Sequence, residues 1–140
     1  MSIKKHERTF CTALNKWWEY VGSKEFDKTL VVEAKISEEN CFNYKKGIKP
    51  HQIPTLINYK NKPMAWKISD MDRTSSKHFD NLLSHNKAVI PCVAIKWIRR
   101  GNKTFYLIDP DTIQGRIDDG KKSLTESEAQ KLCFYVGLIK

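Results

Sequence analysis

A glutamate and a lysine two residues apart, Glu33 and Lys35, interrupt the otherwise apolar segment 30–36. Alternate residues of a β-strand share a face, so the even-numbered apolar residues would line one side while Glu33 and Lys35 project from the other. A carboxylate can hold a divalent cation, and an ammonium group beside it can counter the charge of a phosphate under attack. The segment therefore predicts a strand equipped for phosphate chemistry, although Glu-x-Lys is also common on solvated strand faces.

Other elements must position that strand. Apolar residues at helical spacing predict an amphipathic helix over residues 6–21, ended by Gly22 and Ser23, before a first strand over 29–36. A polar loop over 37–47 leads to a helix that Pro50 opens and that extends to about residue 59. His51 and Gln52 would lie in the first turn of that helix.

The second half of the chain alternates short elements. We expect strands over 64–68, 88–98 and 104–108, a short helix over 79–84, a hairpin loop over 99–103, and a turn at residues 109–111. Thr125 and Glu128 form a capping-box pattern for a final helix that reaches about residue 135. This order predicts an α/β fold with a central mixed β-sheet flanked by helices.

Length and composition limit the class of protein. The 140 residues, 40% of them hydrophobic, suit one domain over 1–140. No apolar run is long enough to span a membrane, and the N-terminus has no signal-peptide core, so we expect a soluble protein of the cytoplasm, or of the host cytoplasm if it is virus-encoded. The four cysteines include no C-x-x-C pair, which disfavours a zinc knuckle or a redox motif.

The charge favours a polyanionic partner. Lys and Arg number 25 against 16 Asp and Glu, a net charge of +9, and neutralising phosphates releases condensed counterions. Aromatic residues interleaved with lysines after the first strand would suit splayed bases. The residues that we expect to contact DNA, with His51 equally open to a structural role, are Phe42, Tyr44, Lys45, Lys46, Lys49, His51, Lys67, Arg99 and Arg100.

Five segments in order carry a resemblance to a known family. They are Glu7 in the first helix, Glu33-Ala34-Lys35, Lys49-Pro50-His51-Gln52, Trp66-Lys67-Ile68-Ser69-Asp70 and Lys77-His78-Phe79-Asp80. Together they resemble the PD-(D/E)xK nuclease superfamily, and within it the Holliday-junction resolvases of RecU type and their small phage-borne relatives. The similarity extends from about residue 7 to residue 108 and implies a restriction-endonuclease-like fold.

The resemblance also implies an activity and roles for residues. It implies a Mg²⁺- or Mn²⁺-dependent endodeoxyribonuclease, often a homodimer, that acts on branched DNA. Glu33 would be a metal ligand, and Lys35 would orient the attacking water or stabilise developing charge. Glu7 would be a further ligand or an acid behind it, and Gln52 would match the helix glutamine that touches the site from the side.

The sequence departs from the family pattern at one position. The superfamily normally supplies a second metal-binding Asp ten or more residues before its E-x-K motif, whereas Asp27 precedes Glu33 by six residues. Glu25, Asp27 or Asp70 could take that role, and we assign it to Asp27. Two other functions stay open: a non-catalytic DNA-binding module on a nuclease scaffold, and an inhibitor whose basic face binds an acidic protein.

Overall fold

The computed structural model of the protein describes residues 3–67 and 81–140. Both helices and strands occur along these residues, as the sequence predicts. The helical segments are α1 (Ile3–Trp17), a π-helical turn (Trp18–Gly22), α2 (Ser23–Glu25), α3 (Tyr44–Gly47), α4 (Gln52–Asn58), a 3₁₀ turn (Asn86–Ala88), α5 (Pro110–Asp118) and α6 (Glu126–Leu132). The strands are β1 (Thr29–Ser37), β2 (Cys41–Asn43), β3 (Met64–Lys67), β4 (Asn81–Ser84), β5 (Val89–Trp97), β6 (Thr104–Ile108), β7 (Ser123–Thr125) and β8 (Tyr135–Leu138).

A mixed four-stranded sheet forms the centre of the fold, in the order β1-β5-β6-β8. β1 lies parallel to β5, with Glu33 opposite Val93 and Lys35 opposite Ile95, and the remaining pairs are antiparallel. Two-stranded ribbons, β2 with β7 and β3 with β4, accompany it. The predicted α/β class, a central mixed sheet flanked by helices, is confirmed.

One face of the sheet packs against α1. Phe10 and Trp17 of α1 pack with Ala34 and Ile36 of β1, which confirms the predicted apolar side of that strand. Phe105 of β6 is fully buried between them, with its ring centroid 5.0 Å from that of Trp17. On β8, Gly137 lies under the Phe105 ring, where a Cβ atom would overlap it, so close packing requires glycine.

The opposite face packs against α4, α5, α6 and the β2–β7 ribbon. Its core contains Val93, Ile95 and Trp97 of β5 together with Ile53 and Leu56 of α4. Since β1 and β5 are parallel and in register, the odd-numbered residues of β1, Glu33 and Lys35 among them, share this face with the odd-numbered residues of β5.

Several predicted elements need correction. Residues 81–84 form strand β4 rather than a helix, because they pair with β3. The predicted turn at 109–111 is the start of α5, where Asp109 caps the helix by accepting a hydrogen bond from the Asp111 backbone N–H and Pro110 occupies the first turn. Helical backbone continues past Gly22 to Glu25, and part of the predicted loop over 37–47 is β2 and α3.

Local signals near the chain's end are confirmed only in part. The capping box is present, since the Thr125 hydroxyl accepts from the Glu128 backbone N–H and the Glu128 carboxylate accepts from the Thr125 backbone N–H. The final helix, however, ends at Leu132, and the chain continues as the edge strand β8. Among residues 3–67 and 81–140, each helix is too short or too polar to cross a bilayer.

Candidate functional site

Glu33 and Lys35 form an ion pair on the α4 side of β1. The Lys35 Nζ atom lies 3.3 Å from Glu33 Oε1, so the prediction that the two side chains share a strand face is confirmed. Lys35 is only 7% exposed, whereas the Glu33 side chain retains 32% of its accessible surface. A buried ammonium group needs a partner to offset its lost hydration, and Glu33 supplies it.

Gln52 joins this pair from the first turn of α4. Its Nε2 group donates to Glu33 Oε1 at 2.9 Å, while its Oε1 atom accepts from the Lys49 backbone N–H at 2.9 Å. Each end of the amide therefore has a partner of the correct kind. The structure thus brings together Glu33, Lys35 and Gln52, the three residues for which the sequence predicts catalytic roles.

Glu7 lies on α1, which covers the other face of the sheet beside β1. Burial raises the pKa of the Cys11 thiol, and the negative charges of Glu7 and then Glu33 raise it further. Glu7 is half-buried on the helix that packs against the face opposite Glu33 and Lys35, so its role as a further ligand or as an acid behind Glu33 stays a prediction.

Asp27 is not brought to Glu33. It is exposed and precedes the first residue of β1, Thr29. The four residues from Thr29 to Glu33 span about 13 Å of extended strand, and Asp27 lies beyond them. Within the described ranges, no group of three or more His, Cys, Asp or Glu side chains is arranged to hold a metal ion. The assignment of Asp27 as a ligand shared with Glu33 therefore has no geometric support.

Phe42 and Tyr44 are core residues, so the expectation that they contact DNA from a loop is wrong. They are 3% and 4% exposed, and their rings pack edge to face at 6.2 Å. The Tyr44 hydroxyl accepts a 2.8 Å hydrogen bond from Arg116 Nε, and burial raises the pKa of Tyr44. Phe42 lies in β2, which pairs with β7, and Tyr44 begins α3, where its backbone N–H donates to the Lys122 carbonyl. Both rings lie in the core, so their faces are unavailable for stacking.

The lysines next to them do line a surface cleft. It has a volume of about 560 Å³ and lies where the start of α4 approaches the end of α5. Lys121 and Lys122, which sequence reasoning missed, complete it; the signal that could have found them is the adjacent pair of lysines after Gly120. We call it the lysine cleft, and its basic residues are Lys45, Lys46, Lys49, Lys121 and Lys122.

The lysine cleft and Glu33 are linked through Gln52. Lys49 lines the cleft, and its backbone N–H is held by the same amide that holds Glu33. His51 precedes Gln52, is exposed, and makes no side-chain cap to α4. One hydrogen-bonded amide therefore connects the wall of the lysine cleft to the Glu33 carboxylate.

The hairpin arginines differ from each other. Gly101, at φ +78°, makes the predicted turn between β5 and β6. Arg100 is exposed, whereas Arg99 forms an ion pair with Glu126, whose carboxylate also accepts from the Tyr106 hydroxyl at 2.8 Å. Arg99 therefore contributes less positive charge to a ligand than the sequence suggests. The Lys67 side chain and residues 68–80, Asp70, Lys77 and Asp80 among them, lie outside what the structure describes.

Comparison with family models, with curated proteins and with solved structures gives no match for this chain. The resemblance to the PD-(D/E)xK superfamily therefore stays a prediction.

Proposed function

We propose that this protein is a metal-dependent endodeoxyribonuclease that hydrolyses phosphodiester bonds in DNA, branched DNA included. The observation that carries the proposal is the arrangement around Glu33: Lys35 Nζ at 3.3 Å and Gln52 Nε2 at 2.9 Å from the same carboxylate oxygen. The lysine cleft, whose wall is joined to this group through Gln52, supports a polyanionic substrate.

The chemistry of Glu33 fits an open Mg²⁺ or Mn²⁺ site. Magnesium in nucleotide-processing sites commonly takes one or two carboxylates, keeps several waters, and completes its shell with substrate phosphate. Glu33 would be the carboxylate ligand, and Glu7 would be a further ligand or an acid behind it. A bound cation would lower the pKa of a coordinated water and so supply the nucleophile.

The other two residues act on the substrate and on the ligand. An ammonium group has three N–H donors, so the ion pair with Glu33 leaves Lys35 with donors for a phosphate oxygen, where negative charge develops during attack. Burial makes that interaction stronger than it would be in water. Gln52 fixes the orientation of the Glu33 carboxylate and, through Lys49, its position relative to the lysine cleft.

A non-catalytic DNA-binding module is the second candidate. The observation that favours it is the absence, in the described parts of the chain, of three acidic, His or Cys groups that converge as metal ligands. In that module the Glu33–Lys35 pair would stabilise the fold, and the lysine cleft alone would bind DNA.

A cleavage assay on a branched DNA substrate with Mn²⁺ separates the two. We expect Glu33→Gln and Lys35→Ala each to lower the cleavage rate by about 10² or more, the loss typical when one group that stabilises transition-state charge is removed. Binding, titrated in Ca²⁺, should persist in both variants and strengthen in Glu33→Gln because a negative charge near the phosphate is lost. Glu39→Gln and Lys28→Ala, which change exposed residues outside the site, are the matched controls.

The binding arm tests the lysine cleft. Lys45→Ala and Lys46→Ala together should lower the slope of log affinity against log salt by about 1.8 on duplex DNA, whereas Arg99→Ala should change it less because Glu126 already neutralises Arg99. Wild-type protein that binds branched DNA but cuts it with neither Mg²⁺ nor Mn²⁺ would refute the nuclease and favour the module. A flat salt dependence would refute both.

A further inference from the structure

A second basic surface lies between α1 and β8, at the edge of the sheet farthest from β1. Here a groove of about 1110 Å³ opens along the helix. Its basic residues are Lys4, Lys5, Arg8, Lys16 and Lys140, and its apolar residues are Ala13, Trp17, Tyr20, Val21 and Leu138. We call it the α1 groove. None of these residues belongs to the Glu33 site or to the lysine cleft.

Basic side chains are spaced along the length of α1. Lys4, Arg8 and Lys16, with Thr12 between them, recur at intervals of four residues, so each step advances about 6 Å along one side of the helix. All four are exposed. Among residues 3–67 and 81–140, no acidic side chain lines the groove, and Lys4, Arg8 and Lys16 make no ion pair. The charge is therefore available to an anionic ligand.

Apolar side chains accompany the charge. Tyr20 is 64% exposed and Leu138 is 68% exposed. Apolar groups that stay exposed beside cations favour a ligand that carries an anionic backbone and flat apolar groups. Duplex DNA presents phosphates outward but keeps its base faces stacked inside, whereas an unpaired strand offers both.

We propose that the α1 groove binds an unpaired nucleic-acid strand, with Lys4, Arg8 and Lys16 on successive phosphates and Tyr20 stacked on a base. The α1 groove would add contacts with nucleic acid to those made by the lysine cleft. Binding in the groove does not depend on hydrolysis at Glu33. A branched substrate would be recognised by its duplex arm in the cleft and by its unpaired strand in the groove.

Fluorescence anisotropy of a labelled oligothymidylate against the full chain tests the proposal. The double variant Arg8→Ala/Lys16→Ala should lower affinity at low salt at least about tenfold and reduce the log–log salt slope by about 1.4, since each phosphate contact on a single strand contributes about 0.7. The matched control is Lys24→Ala/Lys28→Ala, which removes the same charge from exposed lysines outside the groove and should bind like wild type.

A separate experiment tests the proposed stacking of Tyr20 on a base. Tyr20→Ala should weaken oligothymidylate binding about fivefold or more, and Tyr20→Phe should restore it, because stacking needs the ring and not the hydroxyl. Thermal melting checks that these exposed substitutions leave the fold intact. Blunt duplex binding should respond to Lys45→Ala/Lys46→Ala and not to the groove variants.

Three results would overturn the proposal: equal loss in the Lys24/Lys28 control, no oligothymidylate binding by wild type, or groove-dependent binding to phosphatidylserine vesicles without binding to oligothymidylate, which would assign the groove to a membrane surface. Failure of Mn²⁺-dependent cleavage would refute the nuclease proposal and leave this readout unaffected.

Discussion

The two faces of the central sheet are stabilised by different interactions. The face under α1 is closed by aromatic rings, with Phe10, Trp17 and Tyr135 arranged around the buried Phe105. The face under α4 is also buried, but it encloses the Lys35 ammonium and the Tyr106 hydroxyl among its apolar residues. Apolar packing tolerates adjustment, whereas each buried polar group needs a particular partner. The polar face therefore fixes geometry, and the candidate site lies on it.

Among these variants, a substitution in the aromatic cluster under α1 should have the largest effect on stability. Phe105→Ala removes a ring with no exposed surface, leaves its neighbours without contacts, and should lower the free energy of unfolding by about 4 kcal/mol. Urea denaturation followed by tryptophan fluorescence measures this loss. Val136→Ala, on the exposed side of the neighbouring strand, should cost less than about 1 kcal/mol. Similar losses in the two variants would show that the buried Phe105 ring contributes no more to stability than an exposed side chain.

Removing Glu33 and removing Lys35 from their ion pair should change the stability of the protein by different amounts. Glu33→Ala leaves the buried Lys35 ammonium without its carboxylate and should destabilise the protein by about 2 kcal/mol, less than for a fully buried pair because Glu33 is partly exposed. Lys35→Met keeps the volume without the charge and should be neutral or stabilising, and the nuclease proposal predicts that it abolishes cleavage. Denaturation midpoints of the two variants measure the difference, and equal destabilisation would contradict it.

The smallest expected effect on stability concerns Glu126, and it depends on pH. Hydrogen bonds from Arg99 and Tyr106 hold the pKa of Glu126 below its usual range, against the opposing effect of burial. A carboxyl group with a lowered folded-state pKa contributes stability above its unfolded pKa and loses it as the pH falls through the folded value. Glu126→Gln should therefore cost about 1 kcal/mol at neutral pH, and the gap to wild type should close in acid.

A variant of Tyr106, which donates a hydrogen bond to Glu126, serves as a control for the pH dependence of stability. Tyr106→Phe removes one hydrogen bond to Glu126 but keeps the Arg99 ion pair. This variant should therefore lose less of the pH dependence of stability than Glu126→Gln does. Thermal melting between neutral and acidic pH measures both variants. A gap between wild type and Glu126→Gln that stays constant with pH would show that the charge of Glu126 contributes nothing.

The sequence by itself determined the features that depend on local periodicity. Alternation along β1 placed Glu33 and Lys35 on one face and the apolar residues on the other, and the Thr125-x-x-Glu128 pattern placed the start of α6, because strand pleat and capping involve only near neighbours. The order of elements was enough for the α/β class. The turn signal at Asp109 and Pro110 was also local, yet the same residues open a helix, and only the continuation of the chain decides between the two.

Only the tertiary structure decided which residues meet. Gln52 reaches Glu33 across 19 positions of sequence, Arg99 is neutralised by Glu126, and the lysines after Gly120 join those after Asn43 in one cleft. Phe42 and Tyr44 lie among lysines, as in a nucleic-acid-binding loop, but both are buried in the core next to the β2–β7 ribbon. These outcomes depend on how the helices dock on the sheet. Docking is governed by the total apolar surface buried, which no short sequence window contains.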